Sequence, residues 1–150
     1  MEELIIRTAN LSDAKKVASC VNLAYEKYIV RINKKPAPML DNYELLIREG
    51  NVYIGEYAGE IVGILVLKDF DDYILLDNVA VFPSYQGRGF GRQLILFAED
   101  NAIGKNIREI RLYTNVKMIE NINLYTRLGF VEYDKKDEDG YHRLYMKKML

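Results

Sequence analysis

The chain has almost none of the residues from which metal centres and disulfide scaffolds are built. It holds one cysteine, Cys20, and one histidine, His142. A single thiol cannot close an internal disulfide or form a cysteine-rich metal site. One imidazole argues equally against a histidine relay, so no metal is expected. Neither sign of charge dominates: 21 basic residues face 22 acidic ones, for a net charge of -1. Nucleic-acid-binding domains usually carry a clear basic excess, so no nucleic-acid partner is expected. No apolar run reaches the 18 residues of a membrane span. The start, Met1-Glu2-Glu3, lacks a basic region followed by an apolar stretch. The expectation is a cytoplasmic protein without a membrane partner. Only three prolines occur, Pro36, Pro38 and Pro83. They fall in short turns with no repeat or low-complexity linker, so residues 1–150 are expected to form a single domain.

What is present is the balance of a globular protein, 49% hydrophobic and 29% charged residues. Leu4 to Arg7 reads as a first strand. Val17, Val21, Ala24, Tyr25 and Tyr28 then recur at helical spacing, with Asn10 or Ser12 as N-cap. Lys34 to Pro38 breaks that helix. Asp41 followed by Glu44 is a capping-box pattern for a short second helix stopped at Gly50. Val52–Tyr57 and Ile61–Leu67 read as a hairpin, and Tyr73–Phe82 as a long strand. A helix ending at Gly104, a strand over Ile107–Thr114 and a helix over Met118–Leu128 follow. Phe130–Tyr133 and Tyr141–Lys147 read as a closing strand pair. The order β-α-α-β-β-β-α-β-α-β-β predicts a mixed α/β, α+β-like domain with a largely antiparallel sheet covered by helices.

The most informative segment follows the long strand: Gln86-Gly87-Arg88-Gly89-Phe90-Gly91-Arg92. Its glycines permit φ > 0 and close backbone approach to a ligand. The start of a helix offers unpaired amides and a favourable dipole to an anion, and Arg88 and Arg92 add phosphate donors. A pyrophosphate site is predicted. A Walker A loop would need Lys-Ser/Thr after its last glycine, and Arg92-Gln93 stands there. A dinucleotide fingerprint would need glycine at 92. Both nucleotide readings fail on spacing.

This loop, with the preceding Val79-Ala80-Val81-Phe82-Pro83, resembles the Q/R-x-x-G-x-G/A signature of the GNAT superfamily of N-acetyltransferases. Leu124-Tyr125-Thr126-Arg127-Leu128-Gly129-Phe130 is similar to the family's later helix-strand motif. The resemblance implies the GNAT-type acyl-CoA N-acyltransferase fold, a mostly antiparallel twisted sheet of six to seven strands with about four helices. It implies acetyl-CoA as co-substrate, its pyrophosphate on the amides of residues 86–92 and its pantetheine arm along Val79, Ala80 and Val81. Leu124 belongs to the same site. The family often carries an asparagine seven residues before the motif tyrosine; here that position is Met118, leaving Asn115 or Asn121 to do the work. The activity implied is transfer of an acetyl group to a primary amine of a small molecule, protein or peptide by direct attack within a ternary complex. The alternative is a non-catalytic acyl-CoA-binding or sensing module.

An amine with a pKa near ~10.4 is almost wholly protonated at pH 7, so transfer needs a base or a desolvating site. Asp77 is the first candidate, because on a regular strand it shares a face with Val79 and Val81. Asn78 points the other way unless a bulge intervenes. Tyr125 is the candidate acid, since the matching family tyrosine lies near the CoA sulfur. His142 reads as surface and Cys20 as core. The acceptor site is expected around Tyr25 to Tyr43, with Tyr28 and Arg31 as substrate-binding residues. Arg31, Lys34 and Lys35 would suit an anionic acceptor; the acidic turns 69–72 and 134–139 would suit a polyamine or basic peptide. The closing strand pair offers an edge on which a homodimer could form.

Overall fold

The computed structural model describes residues 3–150. Met1 and Glu2, on which part of the leader reading rests, lie outside them. The strands are β1 (Ile5–Thr8), β2 (Val52–Tyr57), β3 (Glu60–Asp69), β4 (Ile74–Val81), β5 (Glu109–Asn115), β6 (Val131–Glu138) and β7 (Tyr141–Met149). The helices are α1 (Ala14–Ile32), α2 (Tyr43–Arg48), α3 (Phe90–Gly104) and α4 (Ile119–Arg127). This is the predicted order, in a mixed α/β fold with one seven-stranded sheet ordered β1-β2-β3-β4-β5-β7-β6. The last hairpin is longer than Phe130–Tyr133 suggested, because the charged run from Asp134 to Glu138 continues an exposed edge strand paired with β7. No helix among the described residues is long and apolar enough to cross a membrane.

Helix α1 buries Val17, Cys20, Val21, Ala24, Tyr25 and Tyr28, the stripe that period 3.6 dictates. Asn10 and Asp13 form a reciprocal capping box on the turn leading into it. Its stop is Asn33, left-handed at φ 70, whose N–H returns to Ile29 O; the proline-rich loop follows instead of causing the break. The second helix is capped by Asn42, whose side chain accepts from Leu45 N–H, and not by Asp41. This frees the Asp41 carboxylate.

The two faces of the sheet carry separate cores. Val17, Val21, Ile54, Ile64, Val66 and Ala80 pack on the α1 side. Leu65, Leu67, Leu76, Val79, Val81 and Leu94 pack on the α3 side. β4 keeps this alternation only with an interruption. Val66 pairs with Asn78 and Leu67 with Leu76, so Asp77 has no partner on β3. Such a bulge puts an extra residue into one strand and bends it. Leu76 and Val79 therefore face α3 together, and Asp77 and Asn78 both turn to the α1 side. This corrects the expectation that Asp77 shares a face with Val79 and Val81.

Asn78 is 3% exposed, and burying an amide demands partners. Tyr25 donates its hydroxyl to Asn78 Oδ1 at 2.6 Å, and Asn78 Nδ2 donates to the Tyr43 hydroxyl at 2.9 Å. Tyr43 in turn donates to Pro38 O at 2.6 Å. The chain of bonds ties α1, β4, α2 and the 33–42 loop together. Asn78→Leu strips a partner from two buried hydroxyls and is expected to cost about 2 kcal/mol, or roughly 4–8 °C in Tm, in thermal unfolding.

Candidate active site

β4 and β5 run parallel and pair only at Ile74–Ile110 and Leu75–Arg111. Beyond those two pairs they diverge, opening a notch in the middle of the sheet. Phe82 N–H donates to Val62 O on β3 at 2.9 Å. Strand alternation then turns the peptide groups of Val81 and Val79 towards the notch. Their carbonyls find side-chain donors, Gln86 Nε2 on Val81 O at 3.0 Å and the Tyr25 hydroxyl on Val79 O at 3.2 Å. Their N–H groups face the opening.

The glycine loop lies at the mouth of the notch. Gly87 and Gly89 adopt φ of 81° and 83°, and Gly89 is the N-cap of α3. The amides of the first α3 turn have no intrahelical acceptors and point at a cleft of about 630 Å³. Val79, Ala80, Val81, Gln86, Gly87, Gly89, Phe90, Gly91, Arg92, Asn121 and Leu124 line it. These are sequence-named cofactor residues that the fold brings together. Arg88 is not on that wall: its guanidinium lies over Tyr57, Tyr85 and Phe90, 4.9–5.5 Å from their centroids. Asn115 is also elsewhere, its Oδ1 accepting from Lys117 N–H at 2.9 Å. Of the two asparagines, Asn121 is the one on this cleft. Lys27 and Arg127 line it too, two cations that sequence reasoning missed because only the packing of α1 and α4 places them.

A second cavity, about 180 Å³, lies on the α1 side of the notch. Tyr25 borders both cavities. Tyr125 and Asp77 line the second. Tyr125 is 4% exposed, its ring edge against Phe130. Burial, with Tyr28 nearby, pushes its phenol well above the ordinary value, so the hydroxyl keeps its proton. The Asp77 carboxylate lies 3.5 Å from the Tyr113 hydroxyl and 3.6 Å from Lys68 Nζ. Burial, followed by Asp77, raises Tyr113 as well.

The residues named for the acceptor fare differently. Tyr28 lines the larger cleft. Arg31 is engaged by Glu120 through two bonds of 2.6 and 2.9 Å, which hold that carboxyl down at about 2. The second cavity is built from part of the 33–42 loop, the segment in which the acceptor site is expected, and also from Lys68, Tyr113, Tyr141 and Arg143. These converge only through the β4 bulge and the β5–β7 pairing, for which the linear sequence carries no signal. Cys20 is buried, its thiol pushed up to about 12 by desolvation. His142 is exposed against Asp137.

Residues 17–130 match the model of the acetyltransferase (GNAT) family, and the chain belongs to that family. It is 31% identical over 94 residues to the uncharacterized N-acetyltransferase YvbK of Bacillus subtilis, covering 62% of this chain and 61% of that one. It is 28% identical over 139 residues to the uncharacterized N-acetyltransferase YjgM of Escherichia coli, covering 87% and 83%. The fold superposes on the PaiA N-acetyltransferase of Thermoplasma acidophilum, solved with coenzyme A, with a TM-score of 0.76 at 20% identity over 99% of both chains. At that identity the likeness is one of fold.

Proposed function

We propose that the protein transfers the acetyl group of acetyl-CoA to a primary amine by direct attack within a ternary complex. The observation that carries this reading is the junction at the notch. The amide-lined cleft and the carboxylate-lined cavity meet at Tyr25, with Tyr125 and the strand edge of Val79 and Val81 beside them. The coenzyme A held by the PaiA structure supports the ligand class.

Each residue then has a task. The loop amides and Arg92 bind the diphosphate, and the inward N–H groups of Val79 and Val81 align the pantetheine arm and the thioester oxygen. The amine nitrogen bonds to the thioester carbon, the C–S bond breaks, and the nitrogen's proton passes to Asp77. Tyr125 offers its hydroxyl to the departing sulfur. The test is calorimetric titration with acetyl-CoA followed by mass-spectrometric detection of acetylated amine. Binding with no transfer to any amine would favour the sensing module; no binding would sink both readings.

Gly89 gives a sharper check of the loop. A side chain at φ 83 costs about 1–2 kcal/mol and would turn the first amides off line. Gly91 is helical, and an added Cβ would meet nothing closer than 3.7 Å. Gly89→Ala is expected to weaken acetyl-CoA about tenfold, and Gly91→Ala to leave it unchanged in the same titration.

A further inference from the structure

The acceptor-side cavity carries four charged side chains, two of each sign: Asp41 and Asp77 against Lys68 and Arg143. A site built for polyamines would be acidic, and one for a purely anionic amine basic. This one is balanced: Lys68 Nζ lies 3.6 Å from Asp77 at the acidic end, and Arg143 pairs with neither Asp41 nor Asp77 among the described residues. Asp77 on β4, Tyr113 on β5 and Arg143 on β7 lie on the side of the sheet away from α3, with Arg143 opposite Asn115 and so diagonal to Tyr113. The Tyr113 ring spans them, its hydroxyl 3.5 Å from Asp77 Oδ1 and its face 4.7 Å from the Arg143 guanidinium. An anionic and a cationic pole are thus held one aromatic ring apart.

Neither pole is closed off by the protein: the ion partner of Asp77 is Lys68 at 3.6 Å, a 40% exposed side chain that a ligand ammonium can displace. Asp41 makes no hydrogen bond or ion pair among the described residues. Desolvation and the neighbouring Asp77 raise its pKa, as expected of a carboxylate awaiting a cation. The Arg143 side chain is 12% exposed, against the Tyr113 and Tyr141 rings. Its ionic partner is Asp139, 82% exposed and 3.6 Å away, a contact in high dielectric that a ligand carboxylate can replace. By contrast several of the surface charges that left the acceptor open already have partners. Arg31 is paired with Glu120 and Asp69 with Lys105, and Asp137 Oδ1 lies 2.6 Å from His142 Nδ1.

The cavity is also small. Its about 180 Å³ is below the 300–1,000 Å³ range usual for drug-sized ligands. The 33–42 loop on its wall is tied down twice, by Tyr141 donating to Lys35 O and Tyr43 donating to Pro38 O, each at 2.6 Å.

We propose that the acceptor is a small zwitterionic amine of amino-acid size, its ammonium group received by Asp41 and Asp77 and its carboxylate by Arg143. This rests on the transferase reading above and adds the substrate class. The experiment is an initial-rate panel with acetyl-CoA and glycine, β-alanine, 4-aminobutyrate and L-lysine. Each is paired with the same amine lacking its carboxylate; spermidine and C-terminally amidated peptides complete the set. One or more zwitterions should exceed their decarboxylated partners in kcat/KM by at least about tenfold, the value of a charge-assisted bidentate contact. Arg143→Gln should erase that preference while acetyl-CoA titrates as in the wild type, and Arg143→Lys should restore part of it. Turnover that ignores the carboxylate, or that prefers spermidine or peptides, overturns the substrate class and leaves the transferase standing. An equal loss for both members of each pair in Arg143→Gln overturns the role of Arg143. No turnover of any amine defeats both.

Discussion

Tyr125→Phe is expected to lower kcat about 100-fold while leaving the affinity for acetyl-CoA nearly unchanged. A phenol near ~10 giving its proton to a thiolate near ~8.5 runs uphill by roughly 2 kcal/mol before any perturbation. Here burial raises the tyrosine further, so full proton transfer becomes less favourable still. The useful contribution is a hydrogen bond that strengthens as negative charge collects on sulfur, worth ~1.5–3 kcal/mol when the acceptor is charged. The Tyr125 hydroxyl has no hydrogen bond within the described residues, so its removal leaves no protein group unpaired and the fold should survive. The raised pKa fixes the sign of the pH effect as well. The protonated donor persists above the normal tyrosine value, so activity should show no alkaline loss below about pH 10. Single-turnover rates with wild type and variant, across pH 7–10, provide the measurement. An unchanged rate would remove Tyr125 from the chemistry and leave it a packing residue against Phe130.

The second large effect is expected at Asp77. Asp77→Asn preserves size and removes the base, and kcat/KM should fall about 10²–10⁴-fold at pH 7, the range of general base help. The pH dependence separates a base from a mere ammonium holder. Without a base, only amine that is already neutral reacts, so the variant's rate should climb about tenfold per pH unit towards the amine pKa near ~10.4. The gap between variant and wild type should therefore narrow from pH 7 to pH 9. A gap that stays constant would mean that Asp77 only holds the ammonium, and the proton leaves by another route.

Much of the architecture is legible in the sequence, because local signals agree with the global arrangement. The α1 stripe from Val17 to Tyr28, the turn at Ala58-Gly59 and the glycines at 87 and 89 each mark an element where it forms. The glycine-loop side of the candidate site is legible for the same reason: a strand-to-helix turn is a local object. The second cavity is not. Asp77 sits on the opposite face from the one alternation predicts, since a bulge is decided by how Val66 and Leu67 on β3 pair with their neighbours. Arg31 reads as a free cation because Glu120, 89 residues away, is invisible until α4 packs beside α1. Arg143 looks like one more charge in a polar hairpin, and becomes a pocket residue only when β7 aligns it with Asn115 on β5.

The divergence of β4 from β5 has a mechanical side. Among the described residues, two residue pairs are the ladder that joins β4 to β5, and Tyr25 and Tyr125 line the cavity beside that seam. An extended ligand bearing amides of its own, laid against Val79 and Val81, would act as a borrowed strand and knit the two half-sheets together. Occupancy would then be felt as rigidity across the whole domain, and the empty protein would be the looser of the two.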